Sequence, residues 1–314
     1  MRVSLRHVSW PSRIDIEAAR QRRAAVRKAG GVLDLVLPLR VGGDGPPLFC
    51  VHPVIGLSWC YTALLQHVTT GNPVYGLQAR GLRRPEPLPA SMAELARDYA
   101  DLVRTTQPDG PYHLLGWSLG GIVAFAVAEE LERRGHRVAL LALLDAYPPD
   151  PDVRDADEPW IQFNIVLADF GYPQILTRGD DHLEERVLEV VRTRPKGALY
   201  DWSEDQIRTL MRVTRNNVAL ATDYQPGSLG RDVLLFRAAL TPATAWRTPG
   251  RWRPYAAAVE IVELDSKHEH MMQPATLAQV GAVLTRRLAA AQGDPVAGTP
   301  PAATRDGATP SAAR

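Results

Sequence analysis

The sequence predicts an α/β protein: a mostly parallel central sheet with helices on both faces. Three observations carry the prediction. Short apolar runs alternate with helical patterns along most of the chain. A serine fenced by glycines sits where one apolar run turns into a helix. Between residues 147 and 230 the alternation stops, and three helical patterns follow one another with no convincing strand between them.

In chain order, the strand-like runs are LFCV (48–51), PVYGL (73–77), YHLLG (112–116), VALLALLDA (138–146), VLLFRA (233–238) and VEIVELD (259–265). SMAELARDYADLVRTTQ (91–107) reads as a helix. Ser91 and Glu94 have capping-box spacing, and Met92, Leu95, Tyr99, Leu102 and Val103 fall on one face. ATLAQVGAVLTRRLAAA (275–291) reads as a second helix. The helical patterns WIQFNIVLADFG, DDHLEERVLEVVRT and DWSEDQIRTLMRVTRNNVALATDY form an insertion over about 148–230. Between two strands of such a sheet, an insertion of this kind is expected to form a lid over the strand ends; the plainer alternative is helices that only pack on the body. Residues 1–34 read as a basic linker or short helix, 35–292 as the folded domain, and 293–314, rich in Pro, Gly, Ala and Thr, as a disordered tail.

Composition excludes several classes. Of 314 residues, 45% are hydrophobic and 23% charged, as in a globular protein with a sizeable core, and the net charge of +1 gives no reason to expect nucleic acid or a membrane surface as partner. No apolar run reaches the ~20 residues that span a bilayer. The N-terminal segment lacks the apolar centre of a signal peptide. Two cysteines, Cys50 and Cys60, make no disulfide framework, so a cytoplasmic location is expected. No His/Cys/Asp cluster has metal-ligand spacing, and GGDGPP lacks the helix and lysine of a phosphate loop.

The serine is Ser118, in Gly116-Trp117-Ser118-Leu119-Gly120. Alone, G-x-S-x-G is a weak signal. Here a strand-like run enters it and a nearly wholly apolar helix leaves it, which is the strand–turn–helix nucleophile elbow of the α/β-hydrolase fold. Serine needs a base, and the base needs an acid to orient it; in this fold the chain order is Ser, acid, His. Among the later histidines, His136 lies in a polar turn and is expected to be solvated, and His182 belongs to the insertion. His268 and His270 follow the last strand-like run; spacing leaves both open, with His268 nearer the strand end. The segment after the run 233–240 holds no acid, whereas Asp145 stands at the end of 138–146, 27 residues after the serine (145 − 118). Asp265, three residues from His268, is the competitor. Oxyanion donors are expected from the N–H of Leu119, directly after the nucleophile, and from Val54 or Ile55 in the loop after 48–51. His52, before a proline at the strand end, reads as a packing or loop residue.

PLFCVHPVIGLSWCYTALL, VYGLQARG, GPYHLLGWSLGGIVAFAVAEEL, LLALLDAYPP and HEHMMQP together resemble the thioesterase domains that end nonribosomal peptide synthetases, from about Leu35 to Ala290. The likeness is weakest over 150–230. It implies an α/β-hydrolase fold with a helical lid, an acid at Asp145, a base at His268 in His-x-x-Met-Met, and oxyanion donors Val54 and Leu119. It further implies a peptidyl carrier protein as partner, whose phosphopantetheine carries the thioester, with no cofactor of the enzyme's own. Release then proceeds by hydrolysis or macrocyclisation. The opening GGVLDLVLPLR looks like a connector from a carrier domain. No carrier domain is present, so the chain is expected to be either an excised domain or an enzyme acting in trans. Arg80, Arg83 and Arg84 could meet an acidic carrier, though a solvated basic loop is the simpler reading. The alternatives are an editing thioesterase, a small-molecule esterase and a non-catalytic receptor on the same fold.

Overall fold

Seven strands form one sheet among the described residues of the computed structural model, which are 33–150, 158–194, 197–242 and 247–293. They are β1 (Val36–Arg40), β2 (Leu48–Val51), β3 (Val74–Leu77), β4 (Tyr112–Trp117), β5 (Val138–Leu144), β6 (Val233–Ala238) and β7 (Val259–Leu264). Their order is β1-β3-β2-β4-β5-β6-β7. Every neighbouring pair is parallel except β1 with β3. The helices are α1 (Met92–Thr106), α2 (Leu119–Arg133), α3 (Pro159–Asp169), α4 (Leu183–Arg192), α5 (Glu204–Thr222) and α6 (Pro274–Gly293). This mostly parallel sheet with flanking helices has the architecture of an α/β-hydrolase. Residues 1–32 of the expected linker and 294–314 of the expected tail lie outside the described residues.

The sheet's centre is dry on both faces. Each residue of β2 and β4 is buried, so apart from His113 these strands read as apolar runs rather than as alternation. β1 is the strand that the sequence reading did not foresee. Pro38 interrupts its apolar run, and a proline within a run normally argues against a strand. At the sheet edge it is tolerated: the β1–β3 register shifts between Pro38 and Arg40.

The start of α1 follows from its cap. The Ser91 hydroxyl accepts the Glu94 N–H at 3.1 Å. The Glu94 carboxylate reaches the Ala90 N–H at 2.8 Å and pairs with Arg80, so only half of the expected box forms. Met92, Leu95, Tyr99 and Val103 are buried as the 3.6-residue period requires, with Ala96 and Ala100 filling the stripe. Helix α5 carries the complete reciprocal cap, between Ser203 and Gln206. The segment Trp59–Gln66, which holds Cys60, is a 3-10 helix; Cys60 is half-buried, Cys50 is buried on β2, and both thiols are free.

Apolar packing falls into three clusters. On one face of the sheet, α1 and α2 cover β2, β4 and β5, and Trp252 stacks on Phe125 with ring centroids 4.5 Å apart. On the other face, the 3-10 segment and α6 pack over Cys50, Leu115 and Phe236. The third cluster belongs to the insertion. Phe163, Val187, Ile207, Leu210 and Met211 pack there with Ile55, Leu57, Ala79 and Leu82, from the loops that leave the C-terminal ends of β2 and β3. The insertion therefore completes its core with residues of the body. Its return is tied down by α2: Glu129 accepts from Tyr224 and from the Gly227 N–H, and Glu132 pairs with Arg231. No helix among the described residues is long and apolar enough to cross a membrane.

Phe125 fills the interface between α2 and Trp252. Phe125→Ala removes the stacked ring and leaves a cavity, so it is expected to cost about 3–5 kcal/mol in urea unfolding. A loss below about 1 kcal/mol would mean that this face of the sheet repacks freely.

Candidate active site

Three backbone segments converge on Ser118. β4 ends one residue before it and α2 starts one residue after it. The serine itself holds φ +56° and ψ −127°, a conformation that costs a non-glycine residue of order 1–3 kcal/mol and persists only when its surroundings enforce it. The enforcement is visible in the glycines. A Cβ on Gly116 would lie 2.1 Å from the Gly120 oxygen. One on Gly120 would lie 2.5 Å from the Val51 oxygen and 2.6 Å from the His52 oxygen, and one on Gly121 2.4 Å from the Ala146 Cβ. The glycines let the strand, the helix and the end of β2 touch backbone to backbone. Tyr61 fills the remaining gap between β2 and β4: its hydroxyl accepts the Trp117 N–H and donates to the Val51 carbonyl, each at 2.8 Å.

The sequence-derived acid and base meet this serine. His268 Nε2 lies 3.0 Å from Ser118 Oγ, and His268 Nδ1 lies 2.7 Å from Asp145 Oδ2. Asp145 directly follows β5, with φ +45°, and is 3% exposed. Its other oxygen, Oδ1, accepts the Ala238 N–H at 3.0 Å and the Tyr147 hydroxyl at 2.9 Å. Arg247 stands 3.5 Å from Oδ2. Burial by itself would push this carboxyl up. The hydrogen bond and charge of His268, then the Arg247 guanidinium and the Ala238 amide, outweigh burial and hold it below the ordinary carboxylate value. The His268 N–H donates to Thr241 Oγ1 at 2.7 Å, and the Trp117 ring lies against the imidazole, with centroids 5.7 Å apart.

The competing candidates lie elsewhere. His270 belongs to the 3-10 turn that starts at His268, and its backbone closes that turn. Asp265 is exposed. His182 caps α4 in left-handed geometry, within the insertion. His136 is half-buried with its ring edge-on to Tyr112 at 5.9 Å, not free in solvent as expected. His52 is fully buried, as a packing or loop residue would be. Arg80 pairs with Glu94 and Asp98, Arg83 with Asp34 at 2.6 Å, and Arg84 lies 3.8 Å from Glu86; this loop is charge-compensated within the chain.

Leu119 and Val54 lie on the touching segments. Leu119 is the first residue of α2, where helix N–H groups have no intrahelical acceptor. Val54 follows Pro53 in a turn closed by the Gly56 N–H on the Pro53 oxygen at 3.0 Å. Because Gly120 packs on the backbone of Val51 and His52, the start of α2 and the loop carrying Val54 are held together. Ile55, the alternative to Val54, is buried in the insertion's core, and Val54 packs against the same cluster. Sequence reasoning missed Tyr61, Thr241 and Arg247. The last two belong to the stretch after β6, which holds no acid; it supplies an acceptor for the His268 N–H and a cation beside Asp145 instead.

A thioesterase domain profile matches residues 46–287. The chain is 42% identical over 276 residues to a dimodular nonribosomal peptide synthase of Bacillus subtilis (strain 168), covering 85% of this chain and 11% of that protein. It is 36% identical over 265 residues to malpinin synthetase of Mortierella alpina, covering 81% of this chain and 3% of that protein. The chain thus spans a small part of the curated relatives that it matches. The NocB thioesterase domain, solved as a covalent complex with a fluorophosphonate nocardicin G analogue, superposes with a TM-score of 0.59 at 26% identity, covering 81% of this chain and 100% of that one.

The environment of Asp145 fixes a sign. A carboxyl held below its ordinary value contributes stability that is present above that value and is lost as pH falls through the folded one. Arg247→Met removes one depressing charge, so Asp145 is expected to protonate at higher pH than in the native protein. The carboxyl carbon shift in NMR, assigned with Asp145→Asn, reads this directly. An unchanged titration would mean that solvent screens the 3.5 Å pair.

Proposed function

Because the chain belongs to the thioesterase domain family, we propose that it releases a peptidyl chain from the phosphopantetheine arm of a carrier protein through an acyl-enzyme on Ser118. The observation that carries this reading is the hydrogen-bonded line from Ser118 through His268 to the buried Asp145. The relative named as a dimodular nonribosomal peptide synthase supports the substrate class.

In this reading His268 Nε2 takes the Ser118 proton as Oγ attacks the thioester carbonyl. Asp145 fixes the ring with Nδ1 protonated and offsets the charge that the imidazolium gains. The oxyanion lies between the N–H groups of Val54 and Leu119, which neutralise charge that only the tetrahedral state carries. Collapse breaks the C–S bond, and the pantetheine thiolate leaves with the proton from His268. In the second half a water molecule, or an amine or hydroxyl of the same peptide, attacks the ester, with His268 again as base. Water yields a linear acid, and an internal nucleophile yields a ring with the loss of no further atoms. The insertion acts as the lid over the strand ends, and how far it excludes water and folds the peptide back decides between the two. The phosphopantetheine belongs to the carrier, the enzyme adds no cofactor, and the reaction is placed in the cytoplasm.

Intact-protein mass spectrometry after mixing with a peptidyl pantetheine thioester tests the reading. The native enzyme is expected to show a peptidyl adduct and then a released product, whose mass separates acid from ring by one water. Ser118→Ala is expected to lose the adduct and at least about 10⁴-fold in turnover. Absence of both adduct and turnover across a range of peptidyl thioesters, in a folded native enzyme, would sink it.

A further inference from the structure

The loop that carries Val54 is gripped on both sides of that residue. A peptide unit is planar and trans, so fixing its carbonyl also fixes the direction of its N–H. The carbonyl that shares a unit with the Val54 N–H is that of Pro53. It accepts His52 Nδ1 at 2.7 Å and the Gly56 N–H at 3.0 Å. A carbonyl can only accept, so His52 carries its proton on Nδ1. Nε2 is then an acceptor, and it takes the Tyr99 hydroxyl at 2.6 Å. Tyr99 belongs to α1, and its ring meets His52 edge-on. Burial lowers the His52 pKa to about 4 against the opposing pull of its bond to the Pro53 oxygen, so at neutral pH the ring is uncharged. The next peptide unit is held from the other direction. The Val54 carbonyl accepts Asn217 Nδ2 at 2.9 Å, and Asn217 is a buried residue of α5, in the insertion.

We propose that His52 and Asn217 are positioning residues of the oxyanion hole: together they fix the two peptide planes flanking Val54 and aim its N–H at the developing charge. The inference rests on Val54 being an oxyanion donor. The two grips differ in origin. His52 ties the hole to the sheet and to α1, through a chain of hydrogen bonds in which each donor polarises the next. Asn217 ties it to the insertion: it holds the peptide unit between Val54 and Ile55, so a shift of α5 reaches the Val54 N–H through rotation about the Val54 backbone. Occupation of the space beneath the insertion is thereby coupled to the electrostatics that stabilise the tetrahedral state. The coupling needs one side chain and no movement of Ser118, His268 or Asp145.

The test uses His52→Phe and Asn217→Leu, which keep the shape and lose the donor, together with His52→Asn, which restores an N–H. The substrate is a p-nitrophenyl acyl ester, so the hole is read whether or not carrier thioesters are turned over. Both donor-less variants are expected to lose about 10–100-fold in kcat with KM within about twofold. They are also expected to bind a boronic acid, whose tetrahedral adduct mimics the oxyanion, more weakly by a similar factor. His52→Asn is expected to recover part of the loss. Unchanged kcat, or a rise in KM with unchanged boronate affinity, would show that the two side chains only pack, and would overturn the proposal. Should His52→Phe fail to unfold cooperatively, Asn217→Leu carries the test by the same two readouts. Replacing the Val54 amide by an ester, which deletes the N–H, separates this inference from its premise. Full activity there means that Val54 is no donor, whereas a loss there with silent side-chain variants rejects the positioning role alone.

Discussion

The site depends on a contact that contains no side chain. The end of β4, the first turn of α2 and the end of β2 approach so closely that a methyl group on Gly116 or Gly120 would overlap the neighbouring backbone. That contact holds Ser118 at positive φ, sets the N–H of Leu119 at a helix start, and brings the loop of Val54 beside it. The strain at the serine is offset by burial around it: the helix that leaves the elbow is packed into the sheet over most of its length. A serine on a mobile loop would need fewer constraints and would also be aimed less well.

A second constraint is the buried carboxylate. Asp145 is nearly inaccessible, and an ionised carboxyl in such a place is costly unless its oxygens are satisfied. Four groups satisfy them. Ala238 and Arg247 come from β6 and the loop after it, Tyr147 from the chain leaving β5, and His268 from the loop after β7. The carboxylate directly follows one strand, and two of its four partners come from the next strand and the loop after it. The segment after β6 is therefore part of the site although it contributes no acid.

Steric and exclusion arguments made much of this legible in the sequence. The glycine-fenced serine between a strand pattern and an apolar helix is a backbone requirement that composition exposes directly. Asp145 emerged because the later segment offers no carboxylate. Spacing could not separate His268 from His270; what separates them is the 3-10 turn that starts at His268, a backbone detail three residues long. β1 was hidden by Pro38, whose cost depends on whether the strand is central or at an edge. Tyr61, 56 residues from its partner Trp117, and Asn217, 163 residues from Val54, left no local signal. Their roles exist only once β2, β4 and α5 are assembled.

The shared core of the insertion bears on how far this enzyme class can be recombined. Ile55, Leu57, Ala79 and Leu82 sit in the sheet's own loops, yet they complete the hydrophobic interior of α3, α4 and α5. The insertion is thus not a transplantable unit with its boundaries at the points where it leaves and rejoins the sheet. A chimera cut there would graft foreign helices onto a floor shaped for others, opening voids beside the residue before Ile55. Exchange of specificity between such proteins has its natural seams farther out, with the loops after β2 and β3 travelling together with the helices that they support.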